Sequence, residues 1–237
     1  MLWGIRPVEQ SSAYGLVAAG LRRQIHLGLV LPGDRLPTER QLAEELEVAR
    51  MTLRQALQVL AAEGYLSIRR GANGGIFVVS ETELNAVALR HLTRDPGGVM
   101  RLMEFRAANE SLAARLSARR RTAAQLAQMR SAATSLRLAV TAGEMRRAES
   151  LFLIAMVEAS GNDLLIEAIE HAAALLLLPF EADVAAAVQA SAAVREALLQ
   201  AIRQRDGGAA EEQARLLFEL AYQRLRVVAG PAFTRVS

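Results

Sequence analysis

The apolar spacing of this chain leaves the helical period once, between Gly64 and Ser80, and that interruption limits the possible folds more than any other feature. Before it, Leu53, Ala56, Leu57 and Leu60 recur at helical spacing, and Gly64 stands where a left-handed residue can end the helix. After it come Tyr65-Leu66-Ser67-Ile68-Arg69 and Ile76-Phe77-Val78-Val79, two runs of strand-forming residues around a glycine-rich turn at 71–75. Such a pair predicts a β-hairpin. From residue 81 to about Val228 only helical periodicity follows, so the chain is expected to be mainly α with one hairpin.

Upstream, Leu16, Val17, Leu21 and Ile25 predict a helix within residues 13–29. Pro32-Gly33 then turns the chain and Leu36-Pro37 sets an extended entry. Thr38 and Gln41 form a capping-box pattern, in which each side chain satisfies the other's exposed backbone N–H. They start a short helix that Leu42 and Leu46 carry inward. A third helix runs over 50–63. Helix, short helix, helix and hairpin is the layout of a winged helix-turn-helix, assigned to residues 1–80. Residues 81–98 are expected to be a linker with a short helix at 84–92, stopped by Asp95-Pro96-Gly97-Gly98. Beyond it, breaks near 120–122, Gly143, Gly161-Asn162, Pro179 and Gly207-Gly208 divide residues 99–230 into about six helices, an all-α bundle. His171 and the run Leu175–Leu178 are assigned to core or interface, and Asn162 to a helix N-cap.

The 52% hydrophobic content is ample for a core, but aromatics are only 4%, so the apolar mass is mainly Ala, Leu and Val, which suits packed helices. The absence of cysteine excludes disulfides, thiolate metal sites and cysteine nucleophiles. No N-terminal stretch has the order of a signal peptide, and the most apolar run, 171–180, is too short to cross a bilayer. A cytoplasmic protein without membrane contact is therefore expected. Net charge is +3, and all 28 basic residues are Arg. Residues 1–80 hold 9 Arg against 7 acids, so nucleic-acid binding has to rest on local placement rather than bulk charge.

That placement exists. In a helix-turn-helix the second helix lies in the major groove. With Leu53, Ala56, Leu57 and Leu60 buried, Arg50, Thr52 and Arg54 lie on or near the free face. Arg50 and Arg54 are i,i+4 neighbours whose guanidinium forks reach the same groove, where one bidentate Arg–guanine contact discriminates by about 1–3 kcal/mol. Thr52 can meet a phosphate or a thymine methyl, and Arg40 the flanking backbone. Arg69 and Arg70, at the hairpin tip, can enter the adjacent minor groove.

Residues 31–79, LPGDRLPTERQLAEELEVARMTLRQALQVLAAEGYLSIRRGANGGIFVV, resemble the DNA-binding domain of the GntR family of bacterial transcription regulators. The resemblance rests on the PGDRLPTERQLAEEL opening, the R-x-T-L-R-x-AL helix, L-x-x-EGYL and the RRG wing. It implies DNA contacts at Arg40, Arg50, Thr52, Arg54, Arg70 and Gly71. It also implies a homodimer on a short palindromic operator in double-stranded DNA, acting as a repressor. One departure is Ala49, where the family usually has Ser or Thr as N-cap; the loss costs about 1 kcal/mol locally.

The remainder is similar to the FCD-type effector domain of the FadR subfamily, on MEFRAANESLAARLSARR (103–120), ESLFLIAMVEASGN (149–162) and REALLQAIRQRDGGAAEEQARLLFEL (195–220). Many members hold a divalent metal with an Asp and three His. Here the corresponding positions are Glu149, Leu153, Arg195 and Leu217, so neither a metal nor another cofactor is expected. Two readings of that region remain: Glu149 and Arg195 pair across the former metal position beside an apolar wall, or the cavity is filled and the bundle only dimerises. Arg106 matches a position that often faces the effector and can hold a carboxylate bidentately, or can pair instead with Glu110. The resemblance thus implies a small organic acid or acyl effector, anionic with an apolar body, at Arg106, Glu149 and Arg195. The alternative is an effector-independent repressor. No enzyme is expected, since no nucleophile, acid–base pair or phosphate-cradling glycine motif is in register.

Overall fold

The computed structural model describes residues 12–71 and 74–229. Ala72 and Asn73 of the expected turn, and residues 1–11 and 230 of the expected domains, lie outside them. The chain runs α1 (Ala13–His26), α2 (Glu39–Glu45), α3 (Arg50–Glu63), β1 (Leu66–Arg69), β2 (Gly75–Val78), α4 (Glu81–Arg94), α5 (Pro96–Arg120), α6 (Ala123–Leu138), α7 (Ala142–Ala159), α8 (Asp163–Leu175), α9 (Val184–Gln204) and α10 (Gly207–Ala229). It is a winged helix-turn-helix followed by an all-helical bundle.

Local chemistry explains most boundaries. Thr38 and Gln41 close both halves of the capping box on α2, as do Ser80/Glu83 on α4, Thr122/Gln125 on α6 and Thr141/Glu144 on α7. Asn162 accepts from the Leu165 N–H and caps α8. Gly64 ends α3 with φ 89°, a conformation that costs a non-glycine residue free energy. β1 and β2 pair antiparallel from Leu66↔Val78 to Arg69↔Gly75.

Some expectations shift. Asp95-Pro96-Gly97-Gly98 starts a helix rather than only stopping one: Asp95 accepts the Gly98 N–H at 2.8 Å, and Pro96 sits at the first helical position, where no N–H is needed. Residues 81–94 form a full helix, and its Leu84, Val87 and Ala88 are buried in the winged domain's core. Leu16 is 63% exposed and Leu46, the α2 C-cap, 41%, because the apolar stripe of each short helix is narrower than the spacing of its leucines suggests. His171 is exposed and Leu175 is 56% exposed on the outer side of α8, whereas Leu176 and Leu177 turn inward once the helix has ended.

The two cores meet. Leu53, Leu57, Leu60 and Tyr65 of the winged domain share one apolar cluster with Ala142 of α7 and with Leu177 and Phe180 of the strap joining α8 to α9. A second cluster, including Ala114, Phe152, Leu198 and Ile202, fills the bundle. Each buried leucine contributes about 1.5–3 kcal/mol of transfer free energy.

Candidate functional sites

The first site is the outer surface of α2, α3 and the hairpin. Burial of Leu53, Ala56, Leu57 and Leu60 leaves Arg50 and Arg54 exposed, with Thr52 half-buried between them. Ala49 makes no side-chain cap hydrogen bond, as expected. Arg54 donates through Nε and Nη2 to Glu39 on α2, at 3.2 and 2.9 Å. Arg40 reaches Glu44 at 3.2 Å along its own helix. Both guanidinium groups are thus held by carboxylates on the surface where the sequence places DNA. Arg70 and Gly71 are exposed at the end of β1. The wing is braced from beneath: Arg35 donates to the Gly74 carbonyl at 2.8 Å, and Arg69 lies 4.7 Å from the Phe77 ring centroid. A Cβ on Gly75 would meet Arg35 Nε at 2.8 Å, so a larger residue there would displace the Arg35 brace.

The second site is a cavity of about 200 Å³ within the bundle. α7 lends it one face over four turns, through Ala142, Met145, Arg146, Glu149, Leu153 and Met156. At its centre Arg195, only 6% exposed, donates to Glu149 at 3.3 Å. Arg224 approaches the same carboxylate oxygen at 3.5 Å, and its Nε lies 2.8 Å from Glu181. That last contact is an ion pair without hydrogen-bond alignment, since Nε has no partner of adequate geometry. Arg195 Nε and Arg146 Nη1 are likewise buried without a partner. Arg106 also lines the cavity, but its Nε is bound to Glu110 at 2.7 Å. Leu153, Leu217, Met103 and Phe218 supply apolar wall.

Burial lowers the Arg146 guanidinium to about 10, against Glu149 and Glu181, which raise it. It lowers Arg195 too, again opposed by Glu149. Both remain cations at neutral pH, because the guanidinium charge is delocalised and its carboxylate neighbours are close.

Of the two sequence readings of this region, the structure has Glu149 and Arg195 paired, and Arg106 paired with Glu110. The sequence reading missed Arg146, Arg224, Glu181 and His26. Two were accessible to it: Arg146 lies three residues before Glu149, and Arg224 follows Leu217 by seven, so each shares a helical face with a residue already chosen. His26 was not, since α1 reaches the cavity only through tertiary packing.

Residues 13–78 match the family of bacterial regulatory proteins called gntR, and residues 101–220 match the FCD domain. The chain belongs to the GntR family. It is a GntR-type transcriptional regulator with an FCD effector-binding domain. It is 32% identical over 154 residues to the HTH-type transcriptional regulator LutR of Bacillus subtilis, covering 63% of this chain and 69% of that protein. With the Uxu operon transcriptional regulator of Escherichia coli it shares 34% over 140 residues, 57% of this chain and 54% of the relative. Identity with the Exu regulon transcriptional regulator of Escherichia coli is 43%, confined to 72 residues that make up 30% of this chain and 27% of that protein. These relatives are regulators, not enzymes. Among solved structures, Escherichia coli McbR/YncC superposes with a TM-score of 0.54 at 20% identity, covering 91% of this chain and 98% of that one, a likeness of fold.

Within this GntR-family chain the positions of the subfamily's metal do not fit a divalent ion. Leu153 and Leu217 have no lone pairs, and Arg195 is a buried cation that repels one. Among the described residues no group of three or more His, Cys, Asp or Glu comes together as a ligand set. Arg195 places its charge beside Glu149 instead.

Proposed function

We propose that this regulator is a cytoplasmic homodimeric repressor that binds a short palindromic operator in double-stranded DNA, its affinity set by a small organic acid or acyl compound in the bundle. The winged domain (1–80) contacts DNA through Arg40, Arg50, Thr52, Arg54, Arg70 and Gly71. Residues 81–98 link it to the effector and dimerisation domain (99–230). Arg195, with Glu149 beside it and Arg106 at the wall, receives the anionic head, and the methionines, leucines and phenylalanines take the apolar body. The observation that carries this reading is the cavity itself, which holds buried guanidinium N–H groups without acceptors. A buried donor left unpaired costs about 1–3 kcal/mol, which an anionic ligand recovers.

The second reading is a repressor that answers to no effector, favoured by the fact that Arg106 and Arg195 each already hold a carboxylate. A thermal-shift screen of organic acids, followed by operator titration with each hit, separates the two. A ligand specific for the folded state must raise its stability. Stabilising acids that also change operator affinity support regulation; a complete screen without a hit supports the second reading.

A further inference from the structure

The cavity does not stop at the bundle. His26 and Leu27, at the end of α1 in the winged domain, form part of its wall. Arg146 stands at that junction. Its Nη2 donates to the carbonyls of Leu178 and Pro179, at 2.5 and 2.8 Å, and its guanidinium carbon lies 3.8 Å from the Phe180 ring centroid. The strap it grips is the one whose Leu177 and Phe180 are buried in the winged domain's core, and whose Phe180 N–H donates to Asn85 of α4 at 2.7 Å. Gly28, just beyond α1, packs on the stem of Arg146: a Cβ there would come 2.9 Å from its Cγ. One side chain therefore touches the cavity, the strap and the turn after α1, and its Nη1 is buried there without an acceptor.

Its position also restricts what fills the cavity. Arg146 and Glu149 are i,i+3 on α7, so the Arg146 side chain and the carboxylate that Arg195 and Arg224 approach leave neighbouring positions on one helix face. Charge decides the rest. Among the residues that line the cavity, four arginines stand against Glu110, Glu149 and Glu181, a balance of one positive charge with His26 neutral, while Glu81 acts on Arg146 from outside the lining. One negative charge on the ligand balances that positive charge; two overshoot.

Resting on the effector-regulated reading above, we propose that Arg146 is a ligand contact and the latch between the cavity and the DNA-binding domain. Its Nη1 takes an uncharged acceptor on a ligand whose single carboxylate is held by Arg195 and Arg224, and its Nη2 keeps the strap docked. The ligand class is a monoanionic acid with a second, carbonyl or hydroxyl oxygen along its chain and an apolar flank.

Three probes of equal length test the chemistry: 4-oxopentanoate, pentanoate, which lacks the second acceptor, and pentanedioate, which carries a second charge. The full-length protein should be stabilised most by 4-oxopentanoate, and its affinity for a duplex selected from a random pool should change fivefold or more with that probe bound. Arg146→Met should abolish both effects. It should also speed amide exchange at Phe180 tenfold or more without changing exchange at Ile202 in the bundle core, a measurement that needs no ligand. Arg146→Lys, which keeps the charge but not the planar fork, guards against misfolding and should also lose the preference for 4-oxopentanoate. Asn85→Ala loosens the strap outside the cavity; it should keep probe binding while the change in DNA affinity shrinks.

Equal responses to the three probes, or none, overturn the ligand class. Phe180 exchange and DNA response that are unchanged in Arg146→Met overturn the latch. Probe binding that depends on Arg146 but never moves DNA affinity overturns effector regulation and the latch with it, leaving the ligand contact standing.

Discussion

Arg54 stands on the exposed side of α3 already bound to a carboxylate, and that shapes what it can contribute if this side meets DNA as proposed. Breaking an exposed pair such as Arg54–Glu39 costs about 0.2–1 kcal/mol, less than a bidentate guanine contact returns. The pair therefore orients the guanidinium without blocking the groove. Arg50→Ala or Arg54→Ala should weaken operator binding by about 1–3 kcal/mol and relax preference at one base of each half-site, whereas Arg40→Ala should weaken binding to all sequences evenly. Fluorescence anisotropy at fixed salt measures this, and unchanged operator affinity in both α3 variants would sink the groove assignment. In the bundle, Leu153, Leu217 and Arg195 stand where metal ligands would be needed. Protein purified without chelator should carry far less than one metal per chain, and added zinc or nickel should leave Tm unchanged. Stoichiometric metal on elemental analysis would show these helices to be misaligned with the family's.

At the scale of elements, α1 is where the winged domain meets the bundle, and it carries a buried titratable group. Burial, reinforced by the charges of Arg22 and Arg146, lowers His26 to about 3, and its Nε2 lies 2.9 Å from the Tyr65 hydroxyl. A base whose folded pKa is depressed binds its proton more readily in the unfolded chain. Its contribution is therefore complete above about 6.5 and is lost as pH falls below that value, by roughly 1.4 kcal/mol per pH unit until about 3. Denaturant unfolding between pH 6.5 and 5 should show this slope in the wild type and a shallower one in His26→Gln, which does not titrate; equal slopes would refute it. Ala49→Ser should restore the missing cap on α3 and add about 1 kcal/mol to stability in the same assay. The ends of these elements were legible because a cap is local: Thr38 and Gln41, or Asn162, act on N–H groups three residues away. Asp95-Pro96 misled only because the signal that ends one helix can also begin the next. The meeting of His26, Arg146 and Phe180 was not legible, since it joins positions more than thirty residues apart that packing alone brings together.

At the scale of the molecule, a winged head for reading DNA is joined to a helical bundle through a shared apolar core. One such head covers too few base pairs for regulatory specificity, since a single module buries only about 600–1,000 Å² against DNA and each base read contributes about 1–3 kcal/mol. Two heads on one duplex add those contributions, and they can engage together only if a second copy holds them at a fixed spacing. In a two-fold dimer the recognition helices enter successive major grooves on one face of the duplex, about 10 bp apart or a multiple of that. If the proposed dimer forms, the expected site is a palindrome with that spacing. Light scattering at micromolar concentration should give about twice the 25.6 kDa chain mass. Selection from a random duplex pool should return inverted repeats, and inserting five base pairs between the half-sites should abolish specific binding, because the second head then faces the wrong side of the helix. A monomer that binds one unrepeated half-site as tightly as the palindrome would overturn the dimer and, with it, the assignment of residues 99–230 to dimerisation.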